Sequence, residues 1–295
     1  MSDLWVVGDV HGALPSLRTL LQRARLADFE DNWLGDGSTL VLLGDLMDRG
    51  PDGLGVVRLV RRLEEQARQV GGQVVSLLGN HEVMLLAALR FRGRRQFGGD
   101  PYGLFDYWKQ NGGRLRDLSM LEPDDLEWLE ARPPMYRHAD WLLCHADSRL
   151  YLTLGDSLER VSELCAAFLR ASTPETWVDF LNAFAERELY GGESGEERAA
   201  QMLRVFGGER LAHGHTPVFV LQGTPPSAVM SPYRYAGGLV LGLDSAMAYQ
   251  KGAGFLVRLE ADPGRLSSPD AQGVLEIFSL TESHLGALPL PELRH

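Results

Sequence analysis

Four short apolar runs in this chain each stop at a polar turn, three of them marked by glycine, and that pattern narrows the possible folds more than any other feature. Leu4-Trp5-Val6-Val7 leads into Gly8-Asp9-Val10-His11-Gly12, and Leu40-Val41-Leu42-Leu43 into Gly44-Asp45-Leu46-Met47-Asp48-Arg49-Gly50. Val74-Val75-Ser76-Leu77-Leu78 leads into Gly79-Asn80-His81-Glu82, and Trp141-Leu142-Leu143-Cys144 into His145-Ala146-Asp147. Short apolar runs without alternation read as strands buried on both faces. Between them Leu17, Leu20, Leu21 and Ala24 fall at helical spacing. So do Val56, Leu59, Val60 and Leu63 after Pro51, a helix opener, and Val83, Leu86, Ala87 and Arg90, with one apolar face. The first half therefore reads β-α-β-α-β-α, an α/β fold whose sheet is covered by helices.

The second half reads as helical from about Leu158 to Leu189, then as a glycine- and charge-rich loop over Gly191–Glu197. Strands are expected at Leu239-Val240-Leu241, Phe255–Leu259 and Val274–Phe278, with connections at Thr224-Pro225-Pro226-Ser227 and Ser267-Ser268-Pro269. No repeat or low-complexity linker divides the chain. It is expected to be one domain, residues 1–295, with a helical insertion at about 150–205.

Charge and length bear on what such a chain does. Twenty-nine Lys and Arg against forty Asp and Glu give a net charge of −11, which disfavours nucleic acid as a partner. Bound divalent cations would reverse that sign locally. No segment approaches the roughly 18 consecutive apolar residues of a membrane span. The N-terminus shows no basic stretch ahead of an apolar one. Two cysteines, Cys144 and Cys165, are too few for a disulfide framework, so a cytoplasmic setting is expected. Both read as small hydrophobes, and Trp177, Phe180 and Phe184 read as a core stripe on a helix. Arg90, Arg92, Arg94 and Arg95 read as a solvated loop, with a rim that recruits acidic or phosphorylated substrates as the alternative.

The turns hold the chemistry. Carboxylate, imidazole and amide oxygen are the ligands of hard or borderline divalent metals, and open α/β sheets bind ligands at the carboxyl ends of their strands. His213-Gly214-His215-Thr216-Pro217 adds two imidazoles late in the chain. A single Asp-x-His commonly caps a helix or sits satisfied in a core. Four successive strand ends that each carry a potential ligand are not explained that way.

Together these motifs resemble the phosphoprotein phosphatase branch of the calcineurin-like metallophosphoesterases. Asn111-Gly112-Gly113 also resembles a segment of the lambda-phosphatase-like bacterial serine/threonine phosphatases. The resemblance runs from Gly8 to Asp244. It implies a sandwich of two mixed β-sheets flanked by helices, with the metal site at strand carboxyl ends. It implies two divalent ions, Mn, Fe or Zn. Asp9, His11 and Asp45 would hold one, and Asp45, Asn80, His145 and His215 the other, with Asp45 bridging at the ~3.5–4 Å separation usual for such pairs. His215 is preferred to His213 because it stands in Gly-His-Thr-Pro, which leaves His213 a structural or supporting part. Asp244 is expected behind the histidines.

The resemblance further makes His81 the general acid, oriented by Asp48, and Arg49 a phosphate ligand alongside Asn80. Taken singly, His81 reads as a helix-start residue, Asp48 as an N-cap and Arg49 as its surface ion-pair partner. The family's second phosphate-binding arginine has no clean match; Arg187 is the best candidate, with Arg149 and Arg198 competing. The implied activity is hydrolysis of phosphomonoesters, with phosphoserine or phosphothreonine of proteins as substrate, by a hydroxide held between the two ions and without a covalent phosphoenzyme. Symmetrical diadenosine tetraphosphate hydrolases resemble the chain too, but commonly depart from Asp at the position of Asp48 and from Glu at that of Glu82. A dinucleoside polyphosphate hydrolase is the first alternative, and an inactive scaffold that binds phosphorylated partners the second. A nuclease is disfavoured by Asp48-Arg49 and the acidic surface. The expected partner is a phosphorylated protein or a small phosphoester.

Overall fold

The computed structural model describes residues 3–93, 103–171, 173–250, 252–261 and 273–280. In chain order they form β1 (Leu4–Val7), α1 (Leu14–Arg23), β2 (Thr39–Leu42), α2 (Gly53–Gln69), β3 (Gln73–Ser76) and α3 (Asn80–Arg90). Three short helices follow, α4 (Leu104–Gln110), α5 (Leu115–Met120) and α6 (Pro123–Glu130), then β4 (Met135–His138) and β5 (Trp141–Cys144). The helical stretch comprises α7 (Leu150–Leu154), α8 (Leu158–Ala171), α9 (Pro174–Phe184) and α10 (Gly195–Phe206). The chain closes with β6 (Arg210–Pro217), α11 (Val218–Gln222), β7 (Tyr233–Tyr235), β8 (Val240–Asp244), β9 (Phe255–Leu259) and β10 (Val274–Ser279).

These strands make two five-stranded sheets, ordered β10-β9-β1-β2-β3 and β4-β5-β6-β8-β7. Both are mixed. In the first, β1 runs parallel to β2 and β2 to β3, while β9 is antiparallel to β1 and to β10. In the second, β5, β6 and β8 are parallel, flanked by antiparallel β4 and β7. Alternate residues face opposite sides of a strand. Leu4, Val6, Val41 and Leu43 of one sheet share a buried cluster with Leu143, Ala212, Leu241 and Leu243 of the other. Trp5, Val7, Leu40, Leu42, Leu142 and Cys144 belong instead to the cluster beneath the helices. Both faces of each sheet are thus covered, which is why the strands read as unbroken apolar runs.

The structure departs from the sequence reading in several elements. β4, β6 and β7 were not expected. β6 is buried at all eight positions, yet half of its sequence, Arg-Leu-Ala-His-Gly-His-Thr-Pro, is polar, with His213, His215 and Thr216 toward the carboxyl end that feeds the polar site. The helix expected over Leu158–Leu189 is two helices. Pro174 opens the second, at the first-turn position where its missing N–H costs nothing, and the second stops at Phe184. The loop expected over Gly191–Glu197 already turns helical at Gly195. Asp52, not Pro51 or Asp48, caps α2: its side chain accepts a hydrogen bond from the Gly55 N–H at 2.9 Å. α3 is buried all round over Asn80–Ala88 rather than along one face, because α4, α6 and α9 pack on it. Trp177, Phe180 and Phe184 are core, as are both cysteines; burial pushes the Cys165 thiol up to about 12. Arg94, Arg95 and the Ser267-Ser268-Pro269 connection lie outside the described residues. Among those described, no helix is long and apolar enough to cross a membrane.

Candidate metal centre

β1, β2, β3, β5 and β6 all deliver polar residues to one edge of the sandwich. The backbone there is unusual. His11, Asp45, Asp48, Arg49 and His215 have φ of 46°, 50°, 68°, 61° and 60°. A non-glycine residue in the left-handed region costs of order 1–3 kcal/mol, so the surroundings must hold it there. They do so with backbone bonds between turns. The Val10 and His11 N–H groups both donate to the Asp45 carbonyl, at 3.2 and 2.8 Å, and the Gly50 N–H donates to the His11 carbonyl at 2.8 Å. Glu82 holds the same turn from below. Its carboxylate accepts from the N–H groups of Asp45 (2.9 Å), Leu46 (2.9 Å), Met47 (3.2 Å) and Gly79 (3.0 Å). Burial, with Asp45 alongside, pushes the Glu82 carboxyl up to about 8, and the Met47 and Asp45 N–H groups oppose that shift. Glu82→Gln puts an amide N–H against backbone N–H groups. It is expected to cost about 1–3 kcal/mol of unfolding free energy in a urea titration, the scale of a buried donor left unpaired.

The ring tautomers decide what this cluster can bind. The His145 Nδ1–H donates to the Leu43 carbonyl at 2.7 Å, so Nε2 carries the bare lone pair. That nitrogen lies 3.0 Å from Asn80 Oδ1 and 3.4 Å from Asp45 Oδ1. The His215 Nε2–H donates to the Ala185 carbonyl at 3.1 Å, which leaves Nδ1 buried and without a partner. The His11 Nδ1–H donates to the Met47 carbonyl at 3.0 Å, and its bare Nε2 lies 3.5 Å from Asp45 Oδ2 and 3.7 Å from Asp9 Oδ2. Burial lowers the pKa of all three imidazoles below the ordinary value, so the rings are neutral donors of lone pairs. Around Asp45, Asn80, His145 and His215 acceptors therefore face acceptors, which is the arrangement a cation satisfies and a solvent-free core does not, whereas His11 Nε2 takes a hydrogen bond from Arg49. Ligand atoms of Asp45, His145 and His215 lie within 4.8 Å of one another, as do those of His11, Asp45 and His81. Asp45 is common to both groups.

The carboxylates add to this argument. Asp9 Oδ1 accepts from the His215 N–H at 2.8 Å, but Oδ2 is buried without a partner. Burial, then repulsion from Asp244 and Asp45, raises its pKa well above the ordinary range. Burial likewise pushes Asp244 up to about 7; its Oδ1 accepts from the Ala246 N–H at 2.8 Å and its Oδ2 has no partner. Divalent cations would supply the positive charge that these buried acids lack.

Beside the ligands, the His81 Nδ1–H donates to Asp48 Oδ2 at 2.8 Å, and His81 Nε2 is buried without a partner. Arg49 Nη1 donates to His11 Nε2, and its guanidinium lies 5.0 Å from the centre of the Tyr249 ring. Asp48 and Arg49 thus have other partners than each other, and Asp48 caps no helix. Arg187 Nη1 donates to the His215 carbonyl, which brings it to the ligand cluster. Its competitors are engaged elsewhere: Arg149 with Glu186 at 3.1 Å, and Arg198 with the Leu189 carbonyl at 3.0 Å. His213 turns away from the cluster, its Nε2 2.6 Å from the Tyr235 hydroxyl. One residue the sequence reading missed stands here. The Trp108 indole N–H donates to both oxygens of Asp48, at 2.9 and 3.0 Å.

Comparison with known proteins gives two kinds of relative. The family model described as calcineurin-like phosphoesterase matches residues 3–219. Shewanella-like protein phosphatase 2 of Arabidopsis thaliana is 30% identical over 115 residues, 39% of this chain and 29% of the relative. A symmetrical bis(5'-nucleosyl)-tetraphosphatase of Legionella pneumophila is 28% identical over 193 residues, 60% of each chain. The match therefore spans less than two thirds of either relative. Among solved structures, the cold-active protein-tyrosine phosphatase of a psychrophilic Shewanella species superposes with a TM-score of 0.68. It is 23% identical, and the match covers 88% of this chain and 76% of that one, a likeness of fold.

Proposed function

The chain belongs to the calcineurin-like phosphoesterase family, and on that premise we propose that it is a metal-dependent phosphatase of phosphomonoesters, acting on phosphoserine and phosphothreonine in proteins. Asp9, His11 and Asp45 would hold one divalent ion, and Asp45, Asn80, His145 and His215 the other. Nitrogen and oxygen donors without thiolate suit Mn, Fe or Zn. When bound, such a pair supplies Lewis acidity and lowers the pKa of water toward neutrality. The chain's own residues do the rest. Arg49 and Arg187 orient the phosphoryl oxygens, Arg49 through a planar guanidinium fork suited to bidentate contact. Asn80 offers a neutral oxygen, which limits the negative charge facing an anionic substrate. His81 delivers a proton from Nε2 to the departing alkoxide, while Asp48 holds Nδ1–H and so fixes the orientation of the ring.

The observation that carries this reading is the buried, unpartnered His81 Nε2, with Nδ1 held 2.8 Å from Asp48. An alkoxide leaving group needs a proton, whereas the phosphate leaving group of a nucleoside polyphosphate needs little help. A site that keeps an acid is therefore suited to phosphomonoesters of alcohols. The same pair argues against an inactive phospho-binding scaffold, which has no use for an acid. The similarity to the tetraphosphatase of Legionella pneumophila supports the second reading, a dinucleoside polyphosphate hydrolase. A panel of phosphoserine, phosphothreonine and phosphotyrosine peptides and diadenosine tetraphosphate, assayed on Mn-loaded protein, tests the choice. The highest kcat/KM is expected for the phosphoserine or phosphothreonine peptides. Preferential symmetrical cleavage of the tetraphosphate would transfer the proposal to the second reading. No turnover of any substrate would leave the scaffold.

A further inference from the structure

Asn111-Gly112-Gly113 has no part in the chemistry above, yet it follows α4 directly and the loop it forms reaches two residues of the site. We infer that Trp108–Gly113 is a positioning segment with two arms: Trp108 holds Asp48, and through it His81, in the geometry for proton donation, while Gly112 holds Arg49 in place for phosphate binding. The inference rests on the proposed roles of His81 and Arg49 and adds the device that orients them.

The first arm is a buried relay. Trp108 is fully buried, and its N–H bridges Asp48 Oδ1 and Oδ2 at 2.9 and 3.0 Å. Asp48 Oδ2 in turn accepts from His81 at 2.8 Å. His81 alone would leave the carboxylate free to rotate about its Cβ–Cγ bond. A donor placed between both oxygens fixes that plane. The indole is itself clamped. A Cβ added at Gly113 would lie 2.3 Å from the Trp108 ring, so only glycine lets the backbone lie against it. Phe105 packs at 5.6 Å between ring centres. The second arm acts on Arg49, whose φ of 61° needs support. Its N–H donates to the Gly112 carbonyl at 2.8 Å, and a Cβ at Gly112 would meet Arg49 Cγ at 2.7 Å. Gly112 also has φ +102°, which disfavours any side chain there. A core tryptophan needs some acceptor for its N–H, but that requirement alone does not select a carboxylate already engaged with the acid.

Trp108→Phe keeps a buried ring and removes only the donor; Gly112→Ala presses on Arg49. His81→Ala is the reference. Each would be assayed, at equal metal content, on a phosphoserine peptide and on p-nitrophenyl phosphate, whose leaving group needs little protonation. Trp108→Phe is expected to lower kcat on the peptide at least about tenfold and on the aryl ester less than about threefold, with KM unchanged. Gly112→Ala is expected to raise KM for both esters about tenfold with little change in kcat. In metal-free protein, the Trp108 indole proton resonance is expected to move in Asp48→Asn. If His81→Ala separates the two esters and Trp108→Phe does not, or if the indole resonance stays in place, the inference fails by itself. If His81→Ala does not separate them, the acid assignment fails and the inference falls with it. A Gly112→Ala protein that fails to fold leaves the Trp108 arm to decide.

Discussion

Asp45→Asn is expected to remove activity and weaken metal binding while leaving the metal-free protein folded. Asp45 is the residue common to both groups of ligand atoms. Its Oδ1 also accepts from the His81 N–H at 2.9 Å, a bond that an asparagine oxygen can keep. The local structure therefore has no reason to collapse. The charge does change. In metal-free protein the Asp45 carboxylate repels Asp9 but interacts favourably with His145, His81, His11 and His215, so the two effects of removing its charge oppose each other. Metal-free Asp45→Asn should melt close to the parent. With metal the two part. Ligands that bind only the folded state stabilise it by RT ln(1 + [L]/Kd), about 2.7 kcal/mol at a hundred times Kd. The parent should gain that stabilisation from Mn, and the variant should gain little. Changes to groups that merely orient a ligand cost roughly 10–100-fold in affinity or activity, so loss of a shared ligand should exceed about 100-fold in kcat/KM. Melting curves with and without Mn, together with a kinetic assay, check both halves. A variant with the parent's metal-induced shift would show that Asp45 is not a ligand.

His81→Ala is the second large effect. General acid catalysis contributes about 10²–10⁴-fold. The loss of kcat on a phosphoserine peptide is expected in that range, with metal content near normal because His11, Asp45, His145 and His215 remain. The structure sharpens this test, because His81 also groups geometrically with His11 and Asp45. If His81 were a ligand instead, the variant would lose metal and fall equally on alkyl and aryl esters. If it is the acid, metal stays and the two esters separate. Equal losses accompanied by metal depletion would reassign His81 from proton donor to ligand.

Much of this arrangement could be read from residues alone, for a physical reason. Strands buried on both faces must be apolar throughout, so Leu4–Val7, Trp141–Cys144 and Phe255–Leu259 were visible with the bounds the structure gives. Their abrupt polar ends marked the site, and the structure gathers Asp9, His11, Asp45, Asn80, His145 and His215 there. β6 was invisible for the converse reason. It carries the site within its own length, and His213, His215 and Thr216 break the apolar pattern of a buried strand. The break between α8 and α9 was legible in Pro174, but the apolar spacing on either side masked it. Trp108 was missed because nothing local distinguishes an indole that meets a carboxylate sixty positions away from one that fills a core. The nearby Asn-Gly-Gly was the available signal, since paired glycines imply a close approach by something bulky. Arg187 was separable from Arg149 and Arg198 only in three dimensions, because Arg187 and Arg198 both lie beside glutamates and Arg149 beside Asp147, with no local motif to tell them apart.

The central claim is that residues distant in sequence converge on a pair of adjacent divalent cations. Anomalous diffraction from crystals of the Mn-loaded protein tests it most directly. Two peaks are expected, one among Asp9, His11 and Asp45 and one among Asp45, Asn80, His145 and His215, with Asp45 touching both. Well-ordered crystals grown in excess Mn with no peak among those side chains would contradict it.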